Sequence, residues 1–327
     1  MTVAFLFPGQ SSRYPGLLSK LTALEPECEA IAARASEILG FDALAHYDRP
    51  TEEAFARNVD VQIGVFLANH LWMRTLESRG VHASISAGLS LGEWNHLVHI
   101  GAVSFEEALR AVRARGEAYD AGPRGFMASI QPVDLEDLQT VVTGVRQQES
   151  LGVVEVVNLN SPRQHVVAGD QAAVEEVMRV MEDEHFAQPV VIERQVPMHA
   201  SSFSPVGAQF RTVLAEIEFR DPARPYFPNR LGRQLAAPTQ THFEDLLSTH
   251  VHSPVLWKDT IDAIVAQHPD VVFVEVGPMK VLFNLLHRKW VKNKKFHADV
   301  REEVEMHLQQ LVASVSEATR GAAEARV

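Results

Sequence analysis

Gly88-Leu89-Ser90-Leu91-Gly92 sets a serine between two glycines, after the small-residue run Ala83-Ser84-Ile85-Ser86-Ala87 and before the stretch Glu93 to Ile100. The pattern reads as strand, sharp turn, helix, which is the layout of a nucleophile elbow. A β-carbon on either side would obstruct so tight a turn, and the helix start behind Ser90 offers unpaired backbone N–H groups to a developing oxyanion. Acyl transfer is the chemistry such a serine can perform. In a chain with 18 glycines the same five residues also fit an ordinary loop. The serine therefore needs a base, an oxyanion donor and a group that selects the acyl chain.

Fifteen histidines compete for the role of base. His199, in Val196-Pro197-Met198-His199-Ala200, is favoured by position, because an inserted unit returns there to the main body of the chain. His96 and His99 lie on the helix that starts at the elbow and read as helix-face residues pointing along it. His250 and His252, with Glu244 and Asp245 nearby, lack a third ligand at metal spacing and read as a solvated helix end, so no metal is expected.

On the helix from Ser104, Ser104 and Glu107 form a capping-box pattern, and Phe105, Ala108, Leu109 and Val112 define a buried stripe. At about 100° per residue, Arg110 points away from the stripe and Arg113 to its side, whereas Arg115 continues the row Ala108, Val112. An inward arginine is costly unless paired, so either an internal carboxylate or an acidic substrate must meet it.

These groups have to be positioned by a large fold. The chain has 327 residues, 46% of them hydrophobic, enough for one large or two smaller domains. A formal net charge of −12 argues against a nucleic-acid partner. No run of about 18 apolar residues and no basic leader before Val3–Phe7 are seen, so the expectation is a cytoplasmic protein with no membrane contact. The one cysteine, Cys28, has no internal partner and reads as packing.

The expected order is a strand over 2–7, helices within 16–40 and 60–79, a strand over 83–87, the elbow, and helices over 91–99 and 104–119, an α/β alternation. From Phe126 the order becomes β-α-β-β-α-β up to Ile192, with Asp170 as cap candidate for an amphipathic helix carrying Val174, Val177, Met178 and Met181. Helices over 203–216, 242–249 and 255–267, a strand over 271–275 and a helix over 279–287 resume the first pattern. The fold class is thus α/β: a large α/β-hydrolase-like domain (residues 1–126 and 198–316) with an inserted small ferredoxin-like subdomain (127–197). The Ala/Glu/Arg-rich segment 317–327 reads as a flexible tail. A ligand cleft is expected between the two units, facing the elbow.

Seven segments then carry a resemblance: Phe5-Leu6-Phe7-Pro8-Gly9-Gln10, Gly88 to Glu93, Arg115-Gly116, Asn158-Leu159-Asn160-Ser161-Pro162, Val196 to His199, Ser253-Pro254-Val255-Leu256-Trp257 and Glu275-Val276-Gly277-Pro278. In this order they make the chain resemble the malonyl-CoA:acyl carrier protein transacylases and the related acyltransferase domains of polyketide synthases. The resemblance implies a ping-pong reaction in which Ser90 takes an acyl group from a coenzyme A thioester, its substrate, and gives it to a carrier-protein phosphopantetheine thiol. No permanently bound cofactor is implied. His199 would be the base, oriented by a backbone carbonyl that maps onto Leu256, and the oxyanion would be held by the N–H groups of Leu91 and Gln10.

Arg115 would then grip the free carboxylate of a malonyl-type group. Gln62 and Asn160 align with polar positions near the pocket, and each also fits a buried amide satisfying backbone. The usual histidine before the serine is Leu89 here, Ser11 and Arg13 replace a usual glycine and glutamine, and Phe203 a usual methionine. Leu89 and Met198 therefore join the substrate-binding candidates, and the α-substituent of the acyl group stays open. An acidic carrier protein would meet the basic run Arg288, Lys289, Lys292, Lys294 and Lys295, which also fits a solvated helix end. A monomer is the expected state. An acyl-carrier hydrolase or a carrier-to-carrier acyltransferase would use the same serine and histidine, with no use for an inward Arg115. A docking module without catalysis would leave both groups idle.

Overall fold

The computed structural model describes residues 2–324, with side chains through residue 320. Among the described residues the strands are β1 (Val3–Phe7), β2 (Ile85–Gly88), β3 (Phe126–Ile130), β4 (Val154–Ser161), β5 (Gln164–Gly169), β6 (Val190–Glu193), β7 (Val272–Glu275) and β8 (Lys295–His297). They form two sheets.

The run Val-Ala-Phe-Leu-Phe of β1 is buried at every position, as an unbroken apolar strand must be when both faces of its sheet are covered. It lies inside the order β2-β1-β7-β8, all parallel. The register Phe7 to Gly88 brings the carboxyl ends of β1 and β2 side by side, so the loops carrying Gly9-Gln10 and Leu89-Ser90 leave the same edge of the sheet. That edge is where open α/β sheets bind ligands. The buried helix Asn58–Ser78 and helices Gly92–His99 and Phe105–Asp120 pack beside it.

The second sheet, in the order β4-β5-β3-β6, is antiparallel throughout. With helices Leu135–Arg146 and Gln171–His185 it makes the expected β-α-β-β-α-β arrangement. The period of two divides β3 between its faces: Phe126, Ala128 and Ile130 join Leu138, Val142, Val174, Val177 and Met181 in a core of their own, whereas Met127 and Ser129 face a cleft. Leu159 and Val255 tie this sheet to the segment before helix Trp257–Gln267 through backbone bonds at 3.0 Å, from Leu159 N–H to the Val255 carbonyl, and 2.9 Å, from Val255 N–H to the Val157 carbonyl.

One expectation is corrected. Asp170 does not cap the helix that follows it; its carboxylate accepts the Val153 N–H at 2.7 Å instead. Residues 317–324 of the expected tail fall within helix Val304–Glu324, in which Ala318 is buried. Residues 325–327 lie outside the described residues. The short helices Ala43–Tyr47 and Thr51–Ala54 and strand β8 were not expected; pieces so short carry too little periodicity to read. Cys28 is buried, its thiol 3.4 Å from the Thr75 hydroxyl.

Candidate active site

Gly88 and Gly92 make the elbow possible. A β-carbon on Gly88 would lie 2.0 Å from the Gly92 backbone, and one on Gly92 would lie 2.1 Å from the Phe7 carbonyl oxygen. Ser90 itself adopts φ +52, a conformation that non-glycine residues hold only when the surroundings enforce it. One enforcing group is Asn229. Its Oδ1 accepts the Ser90 N–H at 2.9 Å and its Nδ2 donates to the Gly88 carbonyl at 2.7 Å, so one side chain spans the turn.

The turn presents Ser90 Oγ 2.8 Å from His199 Nε2. His199, also at positive φ (+66), places its Nδ1 2.7 Å from the His250 carbonyl oxygen. A carbonyl can only accept, so Nδ1 carries the proton and Nε2 is free to take one from the serine. Burial pushes His199 down to about 3, helped by the charge of Arg115 and opposed by the His250 carbonyl. The imidazole is therefore neutral, as a base must be.

The orienting carbonyl belongs to His250 and not to Leu256, whose carbonyl accepts from Thr260 at 3.0 Å. Nor is His250 a solvated helix end: it is 3% exposed and its ring stacks on that of His199 with centroids 4.8 Å apart. His96 and His99 turn away from the serine and bond Ser86 Oγ at 2.7 and 2.8 Å. Among the described residues no group of three or more His, Cys, Asp or Glu side chains is placed to hold a metal ion.

Leu89, Ser90, Met198, His199, Gln10 and Asn160 line one cleft of about 240 Å³ between the two sheets. The small sheet closes it with Met127, Ser129, Asn158 and Ile192. Among the described residues, neither the Leu91 nor the Gln10 N–H donates to a backbone carbonyl. The Gln10 amide is anchored on Asn58 at 3.0 Å.

Arg115 is 1% exposed. It donates to Gln62 Oε1 at 2.7 Å and lies over the Tyr119 ring at 4.4 Å, but among the described residues it has no carboxylate within ion-pair distance, and its Nη2 is unpartnered. Of the two partners the sequence leaves open for this arginine, an internal carboxylate acts only at longer range: among the described residues none pairs with it directly, while the buried carboxyl group of Glu93 acts on it through space. Gln62 and Arg115 do not line the cleft. In the basic run, Arg288, Lys289, Lys292 and Lys294 are exposed. Lys295 is not free for docking: as part of β8 it donates to the Leu286 carbonyl at 2.6 Å and sits over the Phe283 ring.

Asn229 and the ring of His250 are the groups that sequence reasoning missed. Neither belongs to a spaced motif with chemical meaning, and only their contacts reveal them.

The acyl transferase domain family matches residues 4–322 of the chain. The malonyl CoA-acyl carrier protein transacylase of Salmonella typhimurium strain LT2 is 31% identical over 290 residues, which are 87% of this chain and 92% of that protein. The enzyme of the same name from Bacillus subtilis strain 168 is 28% identical over 316 residues, 94% and 97% of the two. Among solved structures, the malonyl CoA-acyl carrier protein transacylase of Clostridium perfringens is similar with a TM-score of 0.87 at 26% identity, over 98% of this chain and 100% of that one. PlMCAT, a malonyl-transacylase solved in complex with a type II PKS acyl-carrier protein, is similar with a TM-score of 0.84 at 29% identity, over 95% and 100%.

Proposed function

Because the chain belongs to the acyl transferase domain family, we propose that it is an acyltransferase moving a malonyl-type group from coenzyme A to the phosphopantetheine thiol of an acyl carrier protein. The observation that carries the malonyl-type donor is Arg115, a buried cation with a free donor that makes no ion pair among the described residues, Glu93 acting on it only at longer range. Its charge reaches His199 and His250, so it lies near the reacting pair. A malonyl carboxylate would supply the missing counter-charge. It must enter beyond the present cleft lining, with displacement of side chains there.

In the first half-reaction His199 Nε2 takes the Ser90 proton as Oγ attacks the thioester carbon. The resulting oxyanion is held by the Leu91 and Gln10 N–H groups. Collapse expels the coenzyme A thiolate, which receives the proton from His199. In the second half, His199 deprotonates the carrier thiol, the sulfur attacks the Ser90 ester, and the serine leaves with that proton. A bound carboxylate also neutralises the Arg115 charge that depresses His199, so the correct donor makes its own base stronger.

The large unit, residues 1–126 and 198–316, supplies both reacting groups in this reading, and the small unit, 127–197, supplies the opposite wall of the cleft. The exposed residues Arg288, Lys289, Lys292 and Lys294 are assigned to carrier docking. Intact-mass measurement after mixing with malonyl-CoA tests the reading: one malonyl adduct is expected on the wild type, none on Ser90→Ala, and release of the adduct to carrier protein much faster than to water. A wild type without an adduct, or one that loses it equally fast without carrier protein, would refute the proposal.

A further inference from the structure

We propose that Glu93 is a positioning residue that holds both members of the Ser90–His199 pair in register, acting on the serine through Asn229 and on the histidine through His250. The proposal rests on Ser90 and His199 being the reacting pair. Glu93 opens the helix behind the elbow and is 1% exposed, although no step of the transfer uses its carboxyl group. Its Oε1 accepts from the Tyr226 hydroxyl at 2.9 Å. Its Oε2 faces two donors, the Asn229 N–H at 3.4 Å and His250 Nδ1 at 3.2 Å.

Each of the latter residues makes two further contacts that matter. The Asn229 side chain bridges Ser90 N–H and the Gly88 carbonyl, and so fixes the turn that aims the hydroxyl. The His250 carbonyl fixes the tautomer and plane of the His199 ring, on which the His250 ring also stacks. A loop at 229 and a helix end at 250 are thereby referred to one carboxyl group on the elbow helix. A buried carboxyl group facing three donors is retained for what it organises, because burial itself disfavours its charge. That cost is visible in Glu93, which burial pushes up to about 7.

The chemistry of the three donors predicts which substitutes work. In Glu93→Gln the amide oxygen can face Asn229 and His250 while the NH₂ donates to the Tyr226 oxygen. In Glu93→Asp the charge is kept but the carboxylate falls one methylene short. The experiment follows the rate at which phenylmethylsulfonyl fluoride modifies Ser90, by intact mass, alongside the rate of malonyl adduct formation and the thermal midpoint. Sulfonylation reports the serine–histidine geometry whatever the natural acyl group, so it remains readable if the malonyl assignment fails.

Since misplacement by about 1 Å can cost roughly a hundredfold, Glu93→Ala and Glu93→Asp are expected to slow both modifications at least about tenfold. Malonyl-CoA affinity of Glu93→Asp, which keeps the charge that acts on Arg115, should be unchanged when measured on the Ser90→Ala background, and both rates in Glu93→Gln should stay within about threefold of wild type. If Glu93→Ala does not fold, Glu93→Asp carries the test. Wild-type sulfonylation rates in folded Glu93→Asp would overturn the proposal, as would equal losses in the Gln and Asp variants.

Discussion

Arg115 separates selection from chemistry. In the proposed mechanism, removing Ser90 deletes the nucleophile, whereas Arg115→Ala deletes a charge-assisted pair with the donor carboxylate worth about 1.5–3 kcal/mol, or roughly one to two powers of ten in kcat/KM for malonyl-CoA. The expected outcome for Arg115→Ala is that loss with malonyl-CoA and little loss with acetyl-CoA, which has no carboxylate to grip. Steady-state assays with the two thioesters check it, and equal losses with both would remove Arg115 from the binding role. This arginine was legible from the helical period alone, because Ala108, Val112 and Arg115 had to share a face. Its partner Gln62, on helix Asn58–Ser78, was legible only through the resemblance, since two helices reveal nothing of their crossing until they are packed.

The elbow depends on a strand and a helix meeting at van der Waals limits. In Gly88→Ala the new methyl would overlap the Gly92 backbone, which cannot move without unseating helix Gly92–His99. A loss of about 2–4 kcal/mol is expected, together with loss of Ser90 acylation, and chemical denaturation with the adduct assay measures both. Stability near the wild-type value would show that the turn can relax. The small antiparallel sheet was equally readable, because its strands alternate and its helices carry clear stripes. Asp170 escaped because a carboxylate at a helix start can as well bond a neighbouring strand, and only the position of Val153 decides which.

Burial across the fold fixes the response to acid. His70, His96, His99 and His199 are each pushed by burial to about 3, and His165 to about 4. Their unfolded forms take up protons near 6.5, so below that value the unfolded state binds more protons and stability falls with pH. Glu93 and Glu275, raised by burial to about 7, act in the opposite sense between 7 and their unfolded range, where they favour the native state as pH falls. The histidines outnumber them, so the thermal midpoint is expected to drop from pH 6.5 towards 4, and more steeply once the carboxyl groups stop opposing. A midpoint that rises over that range would contradict the burial of these rings. Long-range electrostatics supply a second test. On a chain of net charge −12, the exposed cations Arg288, Lys289, Lys292 and Lys294 are a local exception. Reversing their charges is expected to raise KM for an acidic carrier protein several-fold while leaving KM for malonyl-CoA unchanged, and an unchanged carrier KM would remove this face from docking.

Local pattern was enough to read the serine elbow, the inward arginine, the longer helices, the central strands and the inserted small sheet, because turn sterics and side-chain periodicity act within about a dozen residues. Folding alone settled which carbonyl orients His199, that the His250 ring is buried against it, that Asn229 braces the elbow, and that Lys295 is tied to backbone carbonyls. The contacts of His199 and of Asn229 join segments 51 and 139 residues apart along the chain, and a hydrogen bond only a few ångströms long exists only after packing has brought its two ends together.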